Sequence, residues 1–250
     1  MNNNIDLIVA HADKVLTLDS ACLGSEYYYK SLPLCIVDAV YSIGVRYEGV
    51  KNVVDRYCAC FDLQRTRTTK SLFSPVHEQE SIAAFCENAE RIGPANMAVE
   101  VYRNRQRTSA RNGILKADAV YRFATILRKY DIEYLQDISG AVENIALEKD
   151  IRSIPGQTSG ISLKYFFMLA GSDDLIKPDR MILAFLGEAL GRLVSVSEAQ
   201  DFLTAAAKQL RVNYPNLTPR LLDHEIWKFQ RDHRGSSSAS RSKSIRSTCS

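Results

Sequence analysis

The chain has 250 residues, is 46% hydrophobic and 24% charged, and carries a formal net charge of +3. That is the balance of an ordinary globular protein, long enough for one large domain or two small ones. No apolar run approaches the roughly 18 residues of a helical membrane span, so no such segment is expected. An isoelectric point near 8.5 is by itself weak evidence for an anionic partner, so local clustering of charge matters more.

The N-terminus, "MNNNIDLIVAHADKVL", carries Asp6 and lacks the basic start and cleavage site of a signal peptide. A cytoplasmic (nucleoid) or nuclear protein, not a secreted one, is expected. Cys22, Cys35, Cys58, Cys60, Cys86 and Cys249 are scattered and read as reduced thiols. The close pair at Cys58 and Cys60 has no second pair or histidine nearby, so no metal site is expected.

The predicted elements are helices throughout, and the fold class is all-α. "NIDLIVAHADKVLTLD" opens the set, followed by "LPLCIVDAVYSIGVRY" with Pro33 in its first turn. "VKNVVDRYCACFDL" follows Glu48-Gly49, and "HEQESIAAFCENAERIG" stops at Gly93-Pro94. "NMAVEVY" reads equally as a strand or a short helix. In "ILKADAVYRFATILRKY", Ile114, Ala117, Val120, Tyr121, Ala124 and Leu127 form one apolar stripe. The remaining helices are "ISGAVENIALEKDIRSI", "GISLKYFFMLAG", "RMILAFLGEALGR", "SVSEAQDFLTAAAKQLRV" and "TPRLLDHEIWKFQRD". "SVSEAQ" opens as a capping box, and Pro219 suits a first turn. From Gly235 the chain is Ser-rich and basic, and 235–250 is expected to be a disordered tail.

Three segments hold more than a bundle needs. "YRNRQRTSARNG" places Arg103, Arg105, Arg107 and Arg111 just before a helix, a density that favours phosphate contact over a plain solvated loop. In "SIPGQTSGISLKYF", Pro155 fixes φ and Gly156 accepts a positive φ, so the chain reverses between two helices. Gly160 leaves the start of the second helix bare, and unpaired amides there suit a phosphate. The plain alternative is a helix–helix turn. In "GSDDLIKPD", Pro178 forces the preceding residues out of helix and Asp179 lands at the next N-cap. Its plain reading is a cap.

The order of apolar-Pro-Gly turn, helix, loop, Asp and helix resembles the helix–hairpin–helix DNA glycosylase superfamily. The residues that carry the likeness are Ile154, Pro155, Gly156, Asp179 and Ile182. The layout is nearest to the 3-methyladenine DNA glycosylase II and endonuclease III-like members. The resemblance implies two helical subdomains with the active-site cleft between them and a helix–hairpin–helix motif at about 144–170. One subdomain of six-helix type would span 34–138. The other would join 1–33 to 139–234 and carry both hairpin and catalytic aspartate.

It further implies a monofunctional DNA glycosylase that flips a damaged or modified base from the duplex and hydrolyses its N-glycosidic bond. Asp179 would stabilise the oxocarbenium-like sugar and activate water. DNA-backbone contacts would fall to Gly156, Gln157, Thr158, Gly160, Lys177, Arg180, Arg105 and Arg107. Ser42, Arg46 and Tyr47 would supply the base pocket and wedge. The partner would be double-stranded DNA containing a modified base, bound by a monomer with no role for a membrane. No cofactor is implied beyond a monovalent cation at the hairpin.

The sequence departs from the family pattern in the hairpin, where Gln157 holds the apolar place and Thr158 replaces the second glycine. Gly160 stands where lyase members carry a lysine, so Schiff-base lyase chemistry is not expected. Only Cys249 lies beyond Cys86, so the family's iron–sulfur loop is missing. The alternative is a non-catalytic helix–hairpin–helix DNA-binding protein in which Asp179 only caps a helix. An all-α interaction protein without nucleic acid is the third reading.

Overall fold

The computed structural model describes residues 2–45, 47–68 and 73–244, with side chains no further than His233. Arg46 and residues 245–250 lie outside the described residues. The longer helices are α1 (Asn2–Val15), α2 (Leu32–Tyr41), α3 (Tyr47–Cys60) and α4 (Ile82–Ile92). The short α5 (Pro94–Asn96) leads into a π-helical turn, Met97–Val101. Then follow α6 (Lys116–Lys129), α7 (Ile145–Ser153), α8 (Ile161–Leu169), α9 (Arg180–Leu190), α10 (Val196–Leu210) and α11 (Pro219–Ser244). Among the described residues no strand forms, and Tyr29–Thr66 and Arg107–Leu115 pair as isolated bridges. The protein is all-α, and no described helix is long and apolar enough to cross a membrane.

Local chemistry explains most boundaries. Ser81 accepts from the Ala84 amide, Asn144 from those of Ala146 and Leu147, and Ser195 exchanges bonds with Glu198 as a capping box. Pro33 sits in the first turn of α2. "NMAVEV" is neither a strand nor a regular helix. Its π turn buries Met97, Ala98, Val101 and Tyr102 together.

The chain divides into two compact units. Met1–Leu23 and Asp173–Ser250 form the smaller, from α1, α9, α10 and α11. Its core is Ile8, Ala12, Ile182, Phe185, Leu186, Phe202, Leu203, Ala206, Leu222, Ile226 and their neighbours. Gly24–Ser172 forms the larger, from α2 to α8. Its axis is α2, every residue of which is buried, as a helix apolar on all sides requires. Lys116 finishes α2 by donating to the Tyr41 and Ile43 carbonyls at 2.9 and 2.8 Å.

The division differs from the expected boundaries at 34 and 138. Residues 24–33 and 139–172 belong to the larger unit, so the Pro-Gly turn does too. The cause is packing of α8 on α2 and of α7 on α6. Phe166 of α8 meets Phe123 of α6 at 5.1 Å between ring centroids. The helix α11 runs as far as Ser244, and 245–250 of the expected tail lie outside the described residues. Once the apolar face of a helix is anchored, each added residue contributes a hydrogen bond without a new nucleation cost.

Candidate nucleic-acid interface and carboxyl pair

In the larger unit, α7 ends at Ser153 and the buried Ile154 anchors the turn. Gly156 takes φ +85° and Gly160 takes φ +72°, where it caps α8. Gln157 N–H donates to the Ile154 carbonyl and Gly160 N–H to the Gln157 carbonyl, both at 2.9 Å. Arg152 braces the turn by donating Nε–H to the Thr158 carbonyl at 2.9 Å, and it pairs with Glu148 at 3.0 Å. The amides of Gly156, Thr158 and Ser159 donate to no protein acceptor among the described residues, and all three residues are exposed. They are free donors at the mouth of α8.

Gln157 behaves differently from its neighbours. Its side chain is buried and accepts a hydrogen bond from the Ser162 hydroxyl. The polar residue in the apolar place is thus satisfied internally, and its side chain is not offered to a phosphate as expected. Gly160 is buried and its amide is used inside the turn, so of the expected residues Gly156 and Thr158 present free amides.

The arginine loop lies against this turn. A Cβ placed on Gly156 would come within 2.5 Å of the Thr108 hydroxyl oxygen. Glycine is needed there twice over, for its positive φ and for this close approach. The loop is held by Thr108 N–H to the Ile114 carbonyl at 2.9 Å and Lys116 N–H to the Gln106 carbonyl at 2.8 Å. Arg107 Nε–H reaches the Gly113 carbonyl at 2.8 Å. Arg103, Arg105, Arg107 and Arg111 are all exposed, and none forms an ion pair among the described residues. Two segments far apart in sequence, one basic and one rich in free amides, make one surface.

Of the expected pocket residues, Ser42 and Tyr47 are described in this unit and Arg46 lies outside the described residues. Ser42 ends α2, donating its hydroxyl to the Ala39 carbonyl at 3.0 Å and its amide to the Asp38 carbonyl at 2.9 Å. Tyr47 stacks on Tyr27 at 5.7 Å, and burial, with the charge of Asp38, pushes its phenol up to about 12. Tyr47 is therefore part of an interior cluster. Tyr29 donates to Asp38 Oδ2 there at 2.7 Å. The lone aspartate in "LPLCIVDAVY" was the available signal for that cluster. A second interior carboxyl, Glu80, accepts the Tyr57 hydroxyl at 2.5 Å, and burial pushes it up to about 7.

In the smaller unit Asp179 caps α9. Its Oδ1 accepts the amides of Met181 at 2.8 Å and Ile182 at 3.4 Å. Its Oδ2 has no protein donor among the described residues and reaches solvent. Lys177 is half-buried and Arg180 exposed beside it.

The sequence reading missed the partner of Asp179. Asp223 of α11 is buried, and its Oδ1 accepts the Lys177 amide at 2.9 Å. Burial pushes Asp223 up to about 8, and the neighbouring Asp179 charge adds to the rise. The Lys177 amide and charge and the Arg220 charge oppose it. Asp223 thus holds the backbone two residues before Asp179, and the two carboxyls influence one another electrostatically.

The protein is thus all-α, with an arginine loop packed on the Gly156 turn in one unit and Asp179 and Asp223 on one loop and its neighbouring helix in the other. The chain belongs to the family described as domain of unknown function DUF8548, which matches residues 6–231 and so takes in both features. No curated protein and no solved structure matches the chain.

Proposed function

We propose that this chain is a monofunctional DNA glycosylase of helix–hairpin–helix type that binds duplex DNA and hydrolyses a modified base from its sugar. The observation that carries the reading is the packing of the Gly156 turn on Thr108, which joins the arginine loop to the free amides of Gly156, Thr158 and Ser159. Amides at a helix N-terminus and uncompensated guanidinium groups are the donors that phosphodiester oxygens take. Lys177 and Arg180 add charge beside Asp179.

The chemistry follows from Asp179. As the bond between C1′ and the base nitrogen breaks, its electron pair leaves with the base and the sugar becomes cationic. The free Oδ2 of Asp179 stabilises that charge and takes a proton from the water that adds to C1′. Gly160 offers no amine, so the reaction ends at the abasic site without strand cleavage.

The test is incubation with duplexes carrying alkylated, deaminated, oxidised or bulky modified bases, followed by alkali. Strand breaks should appear only after alkali, and Asp179→Asn should remove them while retaining DNA binding. Breaks without alkali, or an unimpaired variant, contradict the reading. The second reading, a non-catalytic DNA-binding protein, is favoured by the two amide bonds on Asp179 Oδ1, which amount to a complete N-cap. The same variant separates the two, because asparagine also caps a helix.

A further inference from the structure

We propose that Asp223 is a positioning residue that holds the start of α9, and with it Asp179, through the Lys177 amide, so that the two carboxyls form one coupled pair; its catalytic role rests on the glycosylase reading, but the pair itself does not. The geometry begins with the loop Asp173–Asp179. Asp223 Oδ1 holds the Lys177 amide at 2.9 Å. Only Pro178, with its fixed φ, separates Lys177 from Asp179. The Asp179 amide turns back to the Lys177 carbonyl at 2.6 Å, so the place where Lys177 is held sets the place where Asp179 starts α9.

The same loop is held from α10 and again from α11. Gln200 accepts the Ile176 amide at 3.3 Å and donates to the Asp174 carbonyl at 3.1 Å. The Arg220 amide donates to the Asp173 carbonyl at 3.1 Å, and the buried Arg220 guanidinium reaches Asp173 Oδ1 at 3.4 Å. Of these restraints, Asp223 also feels the Asp179 charge.

The charged groups around Asp223 are Asp179 from the mouth of α9, Lys177 from the loop and Arg220 from its own helix. Arg220 is shared with Asp173. Two neighbouring carboxyls do not both ionise readily when one of them is removed from water. Burial and the neighbouring Asp179 charge both favour the protonated form of Asp223. A neutral Asp223 still accepts the Lys177 amide through its carbonyl oxygen, so positioning does not require it to ionise. Ionisation above about 8 sets two negative charges side by side and weakens the loop.

The experiment follows aspartate carboxyl carbons by NMR in the full chain labelled at that atom, through a pH titration. One aspartate should titrate near 8, vanish in Asp223→Asn, and move down in Asp179→Asn. No aspartate titrating above 6 (about two units over a free aspartate), or a midpoint unmoved by Asp179→Asn, overturns the pair. Base release supplies the second arm. Asp223→Ala should cost about tenfold or more in kcat with little change in KM, and Asp223→Asn, which keeps an oxygen for the Lys177 amide, should restore part of that loss and remove the alkaline fall. An Asp223→Ala variant as fast as wild type overturns the positioning role. Should wild type release no base at all, the glycosylase reading fails and the titration still decides the pair.

Discussion

The two loops built around a proline solve opposite problems. The Pro155-Gly156 turn uses positive-φ glycines and leaves three amides, at Gly156, Thr158 and Ser159, without protein acceptors. The loop ending at Pro178-Asp179 ties its amides and carbonyls to Gln200, Arg220 and Asp223. A surface for an outside anion needs donors left over. In the Pro178 loop the amides of Ile176, Lys177 and Asp179 and the carbonyls of Asp173 and Asp174 are all bonded within the protein. The difference between them is where each loop's hydrogen bonds end.

That contrast can be broken at its strongest point first. Asp179→Asn should lower base release by about two to four orders of magnitude while thermal stability and DNA binding hold, measured by single-turnover release and melting. Gly156→Val comes next. It combines a strained φ with a close approach to Thr108, and should cost about 1–3 kcal/mol of stability by denaturant titration, with weakened DNA binding.

The pH dependence sharpens the same comparison from inside both units. Asp223 near 8 and Glu80 near 7 lie above their unfolded values of about 4, so the native state keeps protons that the unfolded chain releases. The stability these two groups contribute should therefore be full below about pH 4. It should fall as pH rises, to near 7 for Glu80 and near 8 for Asp223, and then level off. Asp223→Asn and Glu80→Gln should each flatten their own part of that fall in a denaturant series across pH. The smallest effect is on the basic surface. Arg105→Ala with Arg107→Ala should leave stability unchanged and reduce the salt slope of DNA binding by about one for each phosphate no longer neutralised.

Much of this fold was legible because it is local. Pro33, the Ser195–Glu198 box and Gly93-Pro94 mark helix ends within a few residues of themselves, and the structure uses each in that way. The Asp179 cap was legible for the same reason. What stayed hidden depends on chain segments brought together only by tertiary packing. Asp223 looks like any helix-face aspartate until α11 lies against the Lys177 loop. Gln157 looks exposed until Ser162 is seen to bond to it from α8. Thr108 has no local signature for a partner at Gly156. The boundary at 138 failed for a related reason, because α7 and α8 read as separate helices until their packing on α6 and α2 assigns them to the larger unit.

The most direct test is base release by wild type and Asp179→Asn, with DNA binding of both measured at two salt concentrations. Both proteins should bind in a salt-sensitive way, and wild type alone should give alkali-dependent breaks. Equal release by the two proteins, or binding indifferent to salt, would contradict the proposed glycosylase.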